Sequence, residues 1–90
     1  MDVVVLKVSS KSNPNLVAGA LAGTIKESGR AELQAIGAGA INQAIKSVAI
    51  ARNIFIQNDL GIDLVCFPAF ADLVIDDQIR TSIKLIVEPR

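Results

Sequence analysis

The sequence predicts an α/β two-layer sandwich of order β-α-β-α-β-β, a four-stranded mixed sheet with two helices on one face. Two observations lead there. Two strand-like segments near the start are each followed by a short polar or glycine-containing loop and then a long helical stretch, the pattern of parallel strands joined by crossovers. Two more strand-like segments close the chain around Asp76-Asp77, as in an antiparallel hairpin. Right-handed crossovers then put both helices on the same face of the sheet. At 90 residues, with 51% of them apolar, the chain is expected to be one domain spanning residues 1–90.

Val3 to Val8 is β-branched and apolar at nearly every position, so it is expected to be covered on both sides or central in its sheet. Ser9-Ser10-Lys11-Ser12 follows as a polar loop. Asn13 is suited to cap a helix opening at Pro14, where the missing amide costs nothing. Leu16, Val17, Ala20, Leu21 and Ile25 make its expected apolar stripe. Lys26 lies in the last turn, where the dipole favours a cation, and Gly29 ends the helix. Gly19 and Gly23, set among alanines, flatten one surface, which predicts close packing on the sheet or on the other helix.

Ala31 to Ile36 alternates, with Leu33 and Ala35 on one side and Glu32, Gln34 and Ile36 on the other. Gly37-Ala38-Gly39 leads into a helix from about Ala40 to Gln57. At roughly 100° per residue, Ile41, Ala44, Ile45, Val48, Phe55 and Ile56 share a face. Arg52 falls inside that face and is expected to snorkel or to pair with a carboxylate. Ile50 and Ile54 point the other way, among Gln43, Lys46 and Gln57; two such residues are commonly scattered surface, but beside a flat first helix they are the candidate interface of a homodimer or higher homo-oligomer. Asp59-Leu60-Gly61 turns the chain into a strand from Ile62 to about Phe67. Pro68 ends that strand, bends it or confines it to an edge, and Ala71 to Ile75 is a candidate continuation. Asp76-Asp77-Gln78 is the expected tip. Thr81 to Val87 then sets Ile83, Leu85 and Val87 against Ser82, Lys84 and Ile86.

Composition excludes several chemistries. The chain has no His, so it has no imidazole base and no Ser-His or Cys-His nucleophile. Its one Cys, Cys66, can form neither an internal disulfide nor a zinc site of the usual ligands, and within Leu64 to Phe67 it reads as a small hydrophobe. The carboxylates Asp72, Asp76 and Asp77 cluster at the hairpin, where turn chemistry accounts for them. The chain is therefore read as not an enzyme, with no metal and no cofactor. Nine Lys+Arg against nine Asp+Glu argue against a protein that coats DNA by charge alone. Three Phe, with no Trp or Tyr, leave few stacking platforms for single strands. The start carries no signal-peptide pattern, and no apolar stretch approaches the roughly 20 residues of a membrane span, so a cytoplasmic protein with no membrane partner is expected.

If the first two strands are parallel, both helix N-termini arrive at one sheet edge. That edge would carry Ser9, Ser10, Lys11, Ser12 and Asn13 from one loop and Gly37, Gly39, Asn42 and Gln43 from the other. Unpaired amides and the dipole suit an anion there, and glycines allow a ligand close to the backbone. Gly37-x-Gly39 with Asn42 is an incomplete dinucleotide fingerprint, lacking the third glycine and an acidic residue on a following strand. Two glycines making a tight strand-to-helix turn explain the same residues equally well.

With these segments placed, Lys7 to Ala22 (KVSSKSNPNLVAGALA) resembles the opening of the stage V sporulation protein S family. Gln34 to Arg52 (QAIGAGAINQAIKSVAIAR) is similar to its central signature, and Pro68-Ala69-Phe70 and Arg80 to Leu85 fit its last strands. Ile79 departs from the pattern, which has an acidic residue before the Arg-Thr pair. The resemblance implies a small bacterial cytoplasmic regulator of sporulation or related development. It also implies a fold like that of Alba, a dimeric archaeal DNA- and RNA-binding protein. Ala40 to Phe55 looks like the second helix of Alba. Alba's basic pair before the first helix is replaced here by Ser12 and Asn13, its loop arginines by Gly37 and Gly39, and its basic arm ends here in Asp76 and Asp77.

Three readings follow. The first is a regulator with an Alba-like fold that binds DNA or RNA weakly or locally, with Lys11, Arg80 and Lys46 on phosphate and Ser, Asn and Gln making neutral contacts. The alternative is a protein-interaction or scaffold module without nucleic-acid binding. The third is a small-anion or nucleotide sensor at the two helix N-termini.

Overall fold

Six elements occur in the expected order in the computed structural model, which describes residues 3–58 and 61–90. They are β1 (Val5–Val8), α1 (Pro14–Ser28), β2 (Ala31–Ala35), α2 (Ala38–Gln57), β3 (Leu64–Ile75) and β4 (Gln78–Pro89). The strands form one sheet in the order β1-β2-β4-β3. β1 and β2 are parallel, and β4 is antiparallel to both neighbours. The turn expected at Asp59-Leu60-Gly61 falls partly outside the described residues; Gly61 has the positive φ, +60°, that a glycine allows.

α1 starts and stops as its sequence dictates. The Asn13 side chain accepts a hydrogen bond from the Asn15 amide, Pro14 opens the first turn, and Gly29 closes the helix in the left-handed region with its N–H on the Ile25 carbonyl. Alternation in the strands sorts the sheet's faces. Val8, Ala31, Leu33, Ala35, Leu64, Leu85 and Val87 are buried beneath the helices. The residues between them, including Lys7, Glu32, Gln34 and Phe67, lie on a face that no helix covers.

β1 departs from expectation: it is an edge strand pairing only with β2, and Val5 is exposed. Its apolar run reflects β propensity and one buried face, not cover on both sides.

The helix faces are rotated from those that hydropathy predicts. α2 buries Ala40, Ala44, Ser47, Ala51 and Phe55, while Ile45, Arg52 and Ile56 are exposed. α1 buries Ala18, Leu21, Ala22 and Ile25, and leaves Leu16 and Ala20 outside. The two helices pack on each other as well as on the sheet. Small side chains take the close positions and push larger ones to the flanks. Ile50 and Ile54 are partly buried and pack against the core. Gly19 and Gly23 also differ: both face solvent, and a Cβ at either would meet nothing within 4 Å. The alanines make the close packing instead.

β3 runs straight through Pro68. Asp76 and Asp77, with φ of 51° and 62°, make the two-residue turn, so Ile75 and Gln78 form a hydrogen-bonded pair. Counting back along the alternation, Pro68 opposite Leu85 is a non-hydrogen-bonded pair, and its missing N–H faces the free edge. Pro68 is thus tolerated on an edge strand, one of the expected outcomes, and blunts that edge. β2 stops pairing at Ala35 opposite Ile83, so Ala71 to Ser82 projects as a two-stranded arm. Ser82 is buried where the arm leaves the sheet, and its hydroxyl donates to the Ala71 carbonyl at 2.7 Å.

Candidate functional site

The parallel pairing of β1 with β2 brings both helix N-termini to one edge of the sheet, as expected. The β1–α1 loop is a closed turn. The Ser12 amide donates to the Ser9 carbonyl at 3.1 Å, the Ser9 amide donates to the Ser12 hydroxyl at 2.9 Å, and the Lys11 amide donates to the Ser9 hydroxyl at 3.2 Å. Gln43 Nε2 reaches across from α2 and donates to the Ser12 carbonyl at 2.8 Å. A Cβ on Gly39 would stand 2.9 Å from the Ser10 Cβ, so a glycine is needed where the second loop presses on the first. Gly37 has φ +88° and precedes α2 with no side-chain cap.

These contacts divide the expected site residues by role. Ser9, Ser12, Asn13 and Gln43 spend hydrogen-bonding groups on holding the loops, and Gly37 and Gly39 are explained by backbone geometry and close approach. Ser10, Lys11, Asn42 and Lys46 remain exposed, the last two a helical turn apart on α2. Among the described residues no salt bridge engages Lys11, Lys46 or Arg80. The uncapped start of α2 adds first-turn amides to this edge. Arg80 lies apart, on the arm.

Other charges are consumed in pairs. Arg52 binds Asp63 through two hydrogen bonds, so the carboxylate partner expected for it is found, on the segment that leads into β3. That guanidinium, helped by the Leu64 amide, holds the Asp63 carboxyl below the usual carboxylate range, and Asp63 raises Arg52 in turn. Arg30 pairs with Glu32 at 3.2 Å and approaches Glu88 at 4.0 Å. Lys26 Nζ stands 5.7 Å from the centre of the Phe55 ring. Burial pushes the Cys66 thiol up, which leaves it a poor nucleophile. Among the described residues no group of His, Cys, Asp or Glu is placed to hold a metal, and no helix is long and apolar enough to cross a membrane.

Two features escaped the reading of the sequence. The arm carries Phe70, Val74 and Ile79 on its helix-side face, 78%, 75% and 74% exposed. Their apolar character was visible, but the lack of a third strand beside them was not. The second feature is a cleft of about 440 Å³, where the arm residues Leu73 to Ile75 meet Lys7, Ser9, Ser10, Gln34 and Ile36.

Comparison with known families matches residues 4–90 to the family described as Stage V sporulation protein S. With the match spanning nearly the whole chain, this protein belongs to the stage V sporulation protein S family, and that membership supports a sporulation-related role.

Proposed function

We propose that this chain is a non-enzymatic regulator that binds nucleic acid through the edge where the β1–α1 loop meets the start of α2. The fold expectation behind it is the Alba-like one, and the proposed partner is DNA or RNA. One observation carries the reading: exposed Lys11 and Ser10 on the β1–α1 loop and exposed Lys46 and Asn42 on α2 belong to the two elements that meet at the uncapped start of α2, and neither lysine has a salt bridge among the described residues. Phosphate groups suit that combination of cations and helix-terminal donors. So few cations make binding local and strongly salt-dependent, without the dense coating of a basic chromatin protein. Fluorescence anisotropy of labelled duplex DNA and of RNA at low salt tests it. Binding that Lys11→Ala and Lys46→Ala weaken is the expected result. No binding to either nucleic acid at low salt ends the reading.

The protein-interaction reading is favoured by a different observation, the exposed Phe70, Val74 and Ile79 on one face of the arm. Its first occupant is a second copy of the chain, which makes the protein a homodimer joined through the arm and not through Ile50 and Ile54. Sedimentation velocity tests this. A dimer that Phe70→Asp converts to monomer supports it, and a monomeric wild type at high concentration removes it.

A further inference from the structure

The face of the sheet opposite the helices is the largest feature that the edge site leaves unexplained. Register sets Lys7, Gln34, Lys84 and Ala69 side by side across the four strands, and Val5, Glu32, Ile86 and Phe67 in the adjacent row. Alternation along β4 adds Arg80 to the same face on the arm. None of Lys7, Gln34, Lys84 or Phe67 is fully buried, and Phe67 is 51% exposed.

Charge on this face is segregated. Glu32 and Glu88 are neutralised by Arg30 at one end. Towards the arm, Lys7, Lys84 and Arg80 have no carboxylate partner among the described residues. The Gln34 side-chain amide has no hydrogen-bond partner there either. The arm reaches back towards β1, so Lys7 and Gln34 also line the cleft of about 440 Å³, against Ile36, Leu73 and Ile75. That volume lies in the range of small-ligand pockets, roughly 300–1,000 Å³.

A row of cations without carboxylate partners among the described residues calls for a polyanion. An exposed aromatic ring and a free amide on the same flat sheet narrow the class further. Duplex DNA hides its base faces, whereas a single strand offers them for stacking and offers its base edges to an amide. We propose that the uncovered sheet face is a platform for single-stranded nucleic acid, with Lys7, Lys84 and Arg80 on phosphates, Gln34 on a base edge and Phe67 as the stacking surface. It borrows only the ligand class from the preceding reading, because the surface and all the residues that carry it, apart from the arm cation Arg80, are different.

The test is anisotropy of a labelled oligouridine and a labelled oligothymidine of about 12 nucleotides, a length suited to such a platform, beside the same protein titrated into duplex DNA. Phe67→Ala is expected to weaken single-strand binding roughly 5- to 150-fold, and Phe67→Tyr to retain it. The Lys7→Ala/Lys84→Ala double variant is expected to lower the slope of log affinity against log salt by about 1.4, at ~0.7 per contact on a single strand. Lys11→Ala, at the other surface, is expected to leave it unchanged. Circular dichroism checks that these surface variants fold. Unchanged single-strand affinity in both the Phe67→Ala and the lysine variants overturns the proposal, as does the absence of single-strand binding by the wild type. Equal affinity for polyglutamate of similar length overturns it in favour of an acidic peptide, and a dimer dissolved by Phe67→Ala overturns it in favour of a second copy. Duplex binding weakened by Lys11→Ala, with no single-strand binding by the wild type, overturns the platform and leaves the edge site standing alone. Single-strand binding without duplex binding leaves the platform standing and removes duplex DNA from the edge reading.

Discussion

Glycine positions separate structural need from surface composition at the scale of single residues. Gly39 sits where a Cβ would press on Ser10 at 2.9 Å, in contact with backbone-proximal atoms that cannot swing away. Gly39→Ala is expected to destabilise the fold by about 1–3 kcal/mol, an overpacking cost, measured by urea unfolding. Gly19→Ala and Gly23→Ala go the other way, because a Cβ there meets nothing and the backbone is helical. Each is expected to stabilise by roughly 0.5–1 kcal/mol in the same assay. The Asn13 cap, Pro14 and Gly29 were legible in the sequence because local chemistry alone fixes them. The exposure of Gly19 and Gly23 was not, since it depends on which neighbour lies across from α1. Gln43 was read correctly as a neighbour of the Ser12 loop but not as its hydrogen-bond partner, because a bond over 31 positions is set by tertiary packing.

At the scale of elements, hydropathy located both helices but misjudged their orientation. Bulky apolar residues mark a core face only when the neighbour stands at ordinary distance. Between two helices and a sheet, Ala18, Ala22, Ala44 and Ala51 fill the narrow gap, and Leu16, Ile45 and Ile56 move outward. Leu21 on α1 and Phe55 on α2 are nonetheless fully buried, and Phe55→Ala is expected to cost about 3–5 kcal/mol. At Pro68 the sequence left three outcomes open for β3: an end near Phe67, a bend, or an edge strand continuing through Ala71 to Ile75. It continues because the ring faces the free edge, which only the register reveals. Arg52 and Asp63 tie the second half of α2 to the segment entering β3. Asp63 has a depressed pKa in the folded chain, so its contribution is present above the unfolded carboxylate range and is lost as pH falls through the folded value. Thermal melts of wild type and Asp63→Asn are expected to differ near neutral pH and to converge on acidification. A difference that stays constant down to strongly acid pH contradicts that role.

For the whole molecule, zero net charge hides where the individual charges lie. Arg30 and Arg52 are bound to Glu32, Glu88 and Asp63. Lys7, Lys11, Lys46, Arg80 and Lys84 are unpaired among the described residues and fall on the loop edge and the uncovered face. A composition cannot express that division, because pairing depends on which charges the fold brings within reach. The same holds for the aromatic content: three Phe suggest few platforms, yet the fold holds Phe67 out on the open sheet and Phe70 out on the arm. On the proposed function, nucleic acid is therefore expected to be held by a small set of phosphate contacts on a neutral protein. The most direct test is the salt dependence of duplex binding by the wild type and Lys11→Ala. With two to three contacts, the slope of log affinity against log salt is expected to be about −2 to −3, becoming shallower by ~0.9 in the variant. A slope indistinguishable from zero, or one that Lys11→Ala leaves unchanged, contradicts the account.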